Sequence, residues 1–148
     1  MCMKVHDILQ KKGREVFSVD ENTTVFDGIA LMADKNIGAL IVMRSGRMSG
    51  IISERDYRNK VILQGRRSKD TMVKEIMTEN VLCVTPDYEL HECMAIMSGK
   101  KIRHLPVLND KEQVAGIVSI GDIVQAIIDD QKTEIRDLRK YITSSYPG

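Results

Sequence analysis

The stretch Gly50-Ile-Ile-Ser-Glu-Arg-Asp56 has a close copy later in the chain, Gly116-Ile-Val-Ser-Ile-Gly-Asp122. The two copies share Gly, Ile, Ser and Asp, so four of the seven residues are identical at an offset of 66. Each copy is an apolar run that ends at a serine, which predicts a strand followed by the first turn of a helix. The chain therefore carries the same strand-to-helix junction twice.

The likeness between the two halves extends upstream of these junctions. Residues 16–43 align with residues 81–108 at a constant offset of 65, and eight of the 28 aligned positions are identical. Further upstream, residues 5–9 correspond to residues 73–77. Self-similarity at a fixed spacing is the sequence signature of a repeat architecture. We infer that the chain is a tandem duplication.

Within each repeat, the hydrophobic period changes in the same order. Short apolar runs predict strands, and apolar residues at i, i+3/4 and i+7 predict helices. The predicted strands are residues 16–19, 39–43 and 48–52 and then 81–84, 105–108 and 114–118, with helices around 25–32 and 90–97 and after Ser53 and Ser119. Thr24 and Asp27 have the spacing of a capping box at the first of these helices. Each repeat is therefore predicted to be β-α-β-β-α.

A repeat of this size is expected to be only marginally stable alone. About 60 residues bury little surface, so the two repeats should pack together as one module. The predicted fold is mixed α/β (α+β), with two pseudo-symmetric β-α-β-β-α repeats packed sheet to sheet. The predicted divisions are 1–64 for the first repeat with its N-terminal segment, 65–72 for a polar linker, 73–130 for the second repeat and 131–148 for a C-terminal helix and tail.

The composition disfavours several functional classes. The 148 residues are 43% hydrophobic and 29% charged, the balance of a soluble globular protein. A formal net charge of +1, only two Phe and four Tyr, and no Trp disfavour nucleic-acid binding. No apolar run reaches the roughly 20 residues that a membrane span needs. Three scattered cysteines (Cys2, Cys83 and Cys93) and no secretory leader predict reduced thiols and a cytoplasmic location.

The doubled junction G-h-h-S-x-x-D, where h is an apolar residue, lies in two β-α-β-β-α repeats and resembles a tandem pair of CBS domains, the arrangement called a Bateman module. The resemblance runs from Val5 to about Ile128. It implies a regulatory module that binds an adenosine-containing ligand such as AMP, ADP, ATP or NAD, requires no cofactor and signals to a protein on another polypeptide. The alternatives are an S-adenosylmethionine sensor and a structural dimerisation module without ligand.

A catalytic role is disfavoured by the residues themselves. The three His form no recognisable nucleophile–base arrangement, and neither a Walker loop nor G-x-G-x-x-G occurs. We therefore predict no catalytic and no metal-ligating residue.

The junction residues suit an adenosine ligand on physical grounds. A serine at a helix start lies beside unpaired backbone N–H groups and the positive end of the helix dipole, which together favour an anion. A carboxylate three residues later can accept two hydrogen bonds from a ribose diol. The candidate ligand residues are Ser53 and Asp56 in the first repeat and Ser119 and Asp122 in the second. The alternative is that each pair is a capping box with Asp in place of Glu, and both roles can coexist.

Further candidates flank the junctions. The resemblance implies that Arg103 and His104, at the start of a strand of the second repeat, meet phosphate, and Gly38 and Ala39 occupy the equivalent place in the first repeat. Arg55, beside the motif aspartate, can hold phosphate with two parallel hydrogen bonds. The alternatives are a solvated helix face for Arg55 and an ordinary partly buried histidine for His104.

Two more candidates lie on the first predicted strand of each repeat. Ser18 and Cys83 are equivalent there, and the resemblance implies that this strand contacts the ligand. The alternative for Cys83 is a small core residue.

The end of the chain carries its own pattern. Ile128, Gln131, Ile135, Leu138 and Ile142 follow a 3-4-3-4 spacing, the a/d seam of a coiled coil interrupted once by glutamine. With the implied tendency of CBS pairs to meet another pair through their helices, it predicts a homodimer. The alternative is that this segment folds back over the module as an ordinary amphipathic helix.

Overall fold

The computed structural model describes residues 3–13 and 15–145, so Cys2 and the end of the expected tail, residues 146–148, lie outside the described residues. The chain is mixed α/β, and the order of elements around the two junctions repeats as predicted. The elements are α1 (Val5–Lys12), β1 (Ser18–Asp20), α2 (Val25–Lys35), β2 (Ala39–Arg44), β3 (Arg47–Ser53), α3 (Glu54–Tyr57) with a π-helical continuation (Arg58–Ile62), α4 (Val73–Ile76), α5 (Leu90–Lys100), β4 (His104–Leu108), β5 (Val114–Ser119) and α6 (Ile120–Ser145).

The first repeat forms a three-stranded sheet in the order β1-β2-β3. β1 lies parallel to β2, and β2 and β3 form an antiparallel hairpin. Ser45 and Gly46 connect the hairpin with φ of 51° and 79°, the positive values that a two-residue type I′ turn needs. In the second repeat, β4 and β5 pair in the same antiparallel way. Both predicted hairpins are therefore confirmed.

The predicted strand at residues 81–84 is wrong. Within that segment only Val84 pairs, through a single parallel bridge to β4 in which its N–H donates to the Pro106 carbonyl at 3.0 Å. The physical reason is the proline. In the first repeat, the Ile41 N–H donates to the Phe17 carbonyl at 3.3 Å, and Pro106 stands at the equivalent position without an N–H. The ladder of the second repeat therefore loses a bond that the first repeat makes.

Each repeat completes its core with a helix that precedes the other repeat in sequence. α1 packs against the second repeat, where Leu9 lies in one hydrophobic cluster with Val118. α4 packs against the first repeat and places Val73 in its cluster. The repeat boundaries 1–64 and 73–130 stay a prediction. The hydrophobic cores do not follow these boundaries, because α1 belongs to the core of the second repeat and α4 belongs to the core of the first. We call this arrangement the exchange of first helices.

The junction glycines make room for the exchanged helices. A Cβ on Gly116 would lie 2.6 Å from Cδ2 of Leu9 in α1. A Cβ on Gly50 would lie 2.7 Å from both Sδ of Met77 and the carbonyl oxygen of Thr78, which follow α4. Ordinary contacts between heavy atoms are about 3.5–4.0 Å. The first position of the motif is therefore glycine because another segment of the chain approaches it closely.

The last helix, α6, extends beyond the second repeat. It has 26 residues, which corresponds to about 39 Å at the helical rise of ~1.5 Å per residue. Its first turns bury Ile123 (0% exposed) and Ala126 (8% exposed) against the core. From residue 130 to residue 142, every side chain is exposed. The alternative in which this segment folds back over the module is therefore wrong.

Candidate functional site

The serine–aspartate pair of the first repeat forms a complete capping box at the start of α3. The Asp56 N–H donates to Oγ of Ser53 at 3.3 Å, and the Ser53 N–H donates to Oδ2 of Asp56 at 3.0 Å. Oγ of Ser53 also lies 3.1 Å from that carboxylate oxygen. Asp56 is buried, with 8% of its surface exposed. The capping interpretation of this pair is confirmed.

The second carboxylate oxygen of Asp56 is occupied as well. Nζ of Lys60 lies 2.9 Å from Oδ1, and Oγ1 of Thr78 donates to the same atom at 3.4 Å. Lys60 also donates to the Ile76 carbonyl at 2.9 Å. Asp56 therefore ties α3 to the segment around the end of α4. A ribose would have to displace one of these donors to reach its carboxylate.

The pair of the second repeat forms the same capping box and leaves more of its aspartate available. The Ser119 N–H donates to Oδ2 of Asp122 at 2.9 Å, and the Asp122 N–H donates to Oγ of Ser119 at 3.1 Å. Nζ of Lys12, from α1, lies 2.7 Å from the same Oδ2 and donates to the Ile117 carbonyl at 2.9 Å. Oδ1 of Asp122 has no hydrogen bond to any residue that the structure describes. This oxygen is the better candidate ribose acceptor of the two repeats.

The helix starts offer fewer unpaired amides than expected. The first amide of each helix donates to the residue before the preceding hairpin: Glu54 to the Gly38 carbonyl at 3.1 Å, and Ile120 to the Arg103 carbonyl at 2.9 Å. The third amide is taken by the capping serine. An anion at α6 would therefore meet chiefly the second amide, that of Gly121.

Arg55 links the two repeats. Its side chain is exposed, yet Nη1 donates to the carbonyl of Lys101, in the turn that precedes β4. The guanidinium therefore lies across the boundary between the repeats. The contact of Arg55 with phosphate stays a prediction. The alternative, that Arg55 lies on a helix face in contact only with solvent, does not account for its hydrogen bond to Lys101.

His104 lies where the two repeats meet. A Cβ on Gly38, the residue just before β2, would be 3.4 Å from Nε2 of His104. Burial lowers the pKa of His104, and the positive charge of Lys12 lowers it further, while Asp122 and Glu54 act in the opposite direction. Since an unperturbed imidazole has a pKa of about 6.5, this side chain is neutral at pH 7. His104 fits the partly buried alternative and offers a phosphate a hydrogen bond without a charge.

The other candidates lie around this cluster. Ser18 is exposed on β1, Arg103 is exposed before β4, and Ala39 is buried at the start of β2. Cys83 is a half-buried free thiol whose Sγ lies 3.6 Å from the Val81 carbonyl, and burial raises its pKa. No hydrogen bond joins Ser18 or Cys83 to either aspartate in the described chain. Their roles as ligand residues stay predictions.

Sequence reasoning missed the ammonium group beside each aspartate. Lys60 stands four residues after Asp56, and this i, i+4 spacing of opposite charges is a readable signal. Lys12 has no such signal, because 110 residues separate it from Asp122. Only the exchange of α1 brings that pair together.

The structure therefore contains two matching junctions, each with a serine and an aspartate. Each junction follows a similar hairpin, and the two repeats exchange their first helices. These features define a paired-repeat module. The chain belongs to the CBS domain family. The family model for the CBS domain matches residues 5–62 and 73–129, which confirms the prediction of a CBS pair.

Known proteins resemble almost the whole chain. It is 38% identical to a mitochondrial CBS domain-containing protein of Arabidopsis thaliana over an alignment of 151 residues, which covers 96% of this chain and 73% of that protein. A CBS-domain protein of Burkholderia ambifaria has a similar solved structure, with a TM-score of 0.84, 46% identity and coverage of 87% of this chain and 96% of that one. The CBS domain pair of protein MJ0100, solved in complex with 5′-methylthioadenosine and S-adenosyl-L-methionine, has a TM-score of 0.78 and 26% identity over 88% of this chain and 99% of that one.

Residues 3–13 and 15–145 contain no helix that is long and apolar enough to cross a membrane. No group of three or more His, Cys, Asp or Glu side chains in those residues is placed to hold a metal ion.

Proposed function

We propose that this chain is a non-catalytic regulatory module that binds a phosphate-carrying adenosine ligand, AMP, ATP or NAD, and passes its state to a partner protein. The observation that carries the proposal is Oδ1 of Asp122, which accepts no hydrogen bond from any residue in the described part of the chain. It lies in a carboxylate that is already oriented by Ser119 and that has the charge of Lys12 beside it. We assign the first ligand to this site and a weaker one to the site of Asp56, whose carboxylate is occupied.

The residues around Asp122 suit the two polar parts of such a ligand. A ribose hydroxyl can donate to Oδ1 in a charge-assisted hydrogen bond. The ammonium group of Lys12 sits on a flexible four-carbon stem and can turn from Oδ2 to a phosphate oxygen. The Gly121 amide and the neutral imidazole of His104 add uncharged donors. Phosphate-carrying ligands therefore gain a cation here that an uncharged adenosine would not use.

The same lysine connects the ligand to the rest of the module. Lys12 ends α1, and α1 is held on the second repeat by Leu9 against Gly116. A ligand that draws Lys12 away from Asp122 removes one of the contacts that hold this helix. We propose that the regulated protein, an unidentified partner in the cytoplasm, responds to the position of α1.

An S-adenosylmethionine sensor is the second candidate, because the CBS domain pair of MJ0100 was solved with that ligand and with 5′-methylthioadenosine. The two candidates differ in charge at the 5′ end of the ribose. S-adenosylmethionine carries a cationic sulfonium there, and the ammonium group of Lys12 would repel it. Replacing Lys12 by methionine should therefore weaken AMP or ATP binding and strengthen S-adenosylmethionine binding.

Titration calorimetry of the whole chain with AMP, ATP, NAD and S-adenosylmethionine tests the proposal. Asp122→Asn keeps the shape of the side chain and an oxygen that can accept from the Ser119 N–H. Losing the charged acceptor should weaken adenylate binding by about 10- to 150-fold, the equivalent of roughly 1.5–3 kcal/mol. Asp27→Asn, an exposed position in the first turn of α2, is the control for charge and should bind like the parent.

Three results would count against the proposal. If Asp122→Asn binds as tightly as the parent, the aspartate serves only as a cap. If no adenosine ligand binds at all, the chain is a structural dimerisation module. If chromatography of the incubated ligand shows conversion to a product, the module is not a passive sensor.

A further inference from the structure

The outer part of α6 presents an uncovered apolar seam. Ile128, Ile135, Leu138 and Ile142 are 40%, 51%, 61% and 54% exposed, although each is a large hydrophobic side chain. The buried face of the helix ends near Ala126 and Ile127, which contact the core of the second repeat. No described residue packs over the seam beyond that point. A seam of this kind needs an apolar partner to leave water.

The residue types along the seam specify how it is covered. Isoleucine occupies the three a positions, 128, 135 and 142, and the d positions are Gln131 and Leu138. Isoleucine at a with leucine at d favours two parallel strands over higher oligomers. A single polar residue at an a position, such as Asn, specifies register in coiled coils. We extend this rule to the d position of Gln131, where in-register pairing lets the amide meet its own copy. Gln131 therefore favours in-register pairing with an identical helix.

The flanking charges select the same orientation. In this register Glu134 is a g position, and Lys132 and Arg139 are e positions. Parallel helices place g next to the following e position of the other helix, so Glu134 faces Arg139 of the second copy, twice by symmetry. Antiparallel helices would place e against e and bring lysine and arginine cations together. Neither Glu134 nor Arg139 makes an ion pair with a residue that the structure describes, so both charges are available.

We propose that α6 forms a parallel, in-register, two-stranded coiled coil with a second copy of this chain over residues 128–142. This assigns both the contact and the orientation of the homodimer, and it does not depend on the proposed ligand. About two heptads give only modest stability on their own. The dimer is therefore expected to be concentration-dependent and sensitive to single changes at the g and e positions.

Charge reversal tests the orientation. Glu134→Arg and Arg139→Glu each turn two attractive contacts of the dimer into repulsive ones, which should raise the dimer dissociation constant by about 5- to 30-fold. An equimolar mixture of the two variants should form a heterodimer, because every g–e′ contact in it is attractive again. Asp130→Arg and Arg136→Glu change the net charge equally at outward positions and should dimerise like the parent. Analytical ultracentrifugation measures each constant, and circular dichroism shows that each variant is folded.

Disulfide trapping tests the register independently of charge. In the proposed coil the two copies of residue 131 are adjacent, so Gln131→Cys should give a covalent dimer on a non-reducing gel after mild oxidation. Thr133→Cys, on the outward face, and the parent with its own three cysteines are the controls and should remain uncrosslinked.

Three results would overturn the proposed coiled coil. A parent chain that sediments at 16.7 kDa across the concentration series overturns the proposal. So does a dimer that the reversals leave unchanged, or one in which mixing the two variants restores nothing. Because none of these measurements contains a nucleotide, failure of the coiled coil is distinct from failure of ligand binding.

Discussion

Replacing Gly50 by alanine tests whether the exchanged helices explain the glycine of the motif. The new Cβ would lie 2.7 Å from Sδ of Met77, which can move, and 2.7 Å from the Thr78 carbonyl oxygen, which cannot move freely. That carbonyl accepts from the Ile51 N–H at 3.0 Å, and the Thr78 N–H donates back to Ile51 at 2.8 Å. Relieving the clash therefore requires a shift of the paired backbone.

The magnitude follows from two opposing effects. Overpacking of this kind costs about 1–3 kcal/mol. Gly50 does not have a positive φ, so alanine also removes about 0.4–1 kcal/mol of unfolded-state freedom, which stabilises the fold. We expect a net loss of about 1–2 kcal/mol in the free energy of unfolding. For a chain near 150 residues this is a fall in Tm of about 2–8 °C.

Two other glycines provide matched controls. A Cβ on Gly116 meets Cδ2 of Leu9 at 2.6 Å, but this is the tip of a flexible side chain, so Gly116→Ala should cost less than Gly50→Ala. A Cβ on Gly99, inside α5, meets no atom of the described residues within 4 Å, so Gly99→Ala should stabilise by about 0.5–1 kcal/mol. Urea denaturation of the three variants, followed by circular dichroism, gives the order directly. A Gly50→Ala variant as stable as Gly99→Ala would refute the account of close approach.

Acid should destabilise the fold partly through His104: its folded pKa is lowered, so the unfolded chain binds more protons, and stability is lost as pH falls below about 6.5. His104→Gln should show a smaller loss between about pH 6.5 and pH 5 in urea titrations, and an unchanged pH slope would exclude this role. Lys60→Met should cost about 1–2 kcal/mol because it strips a buried carboxylate, Asp56, of its cation. Lys12→Met should cost less than about 1 kcal/mol because its partner, Asp122, is more exposed than Asp56. Equal melting temperatures of the two variants would contradict this ranking.

Much of the fold can be predicted from the sequence because the same pattern of strands and helices occurs in both repeats. Alternation and turn residues locate both hairpins, and the serine before each helix locates the junctions. The missing strand at residues 81–84 could also have been anticipated, since Pro106 lacks the donor that Ile41 supplies in the first repeat. The hydrophobic pattern indicates which face of the sheet each residue occupies. It does not show whether every hydrogen bond between neighbouring strands has an N–H donor.

The candidate site is less predictable because its charges come from distant segments. The capping boxes at Ser53 and Ser119 follow from spacing alone. The ion pair between Lys12 and Asp122 depends on where α1 docks, and nothing local to residue 12 indicates that. The neutral state of His104 likewise depends on burial between the repeats, which composition does not reveal.

The exchange of first helices also sets the order in which the chain can fold as it is made. α1 leaves the ribosome before both repeats, but its apolar face packs on residues such as Val118, which follow only in β5 of the second repeat. Until then that face has no partner, whereas the first repeat can close as soon as α4 has emerged. The nascent chain should therefore protect its second half last, and α1 should be the segment that chaperones meet. Two copies folding side by side could also trade α1 helices, so refolding at high concentration should give some interlocked dimers.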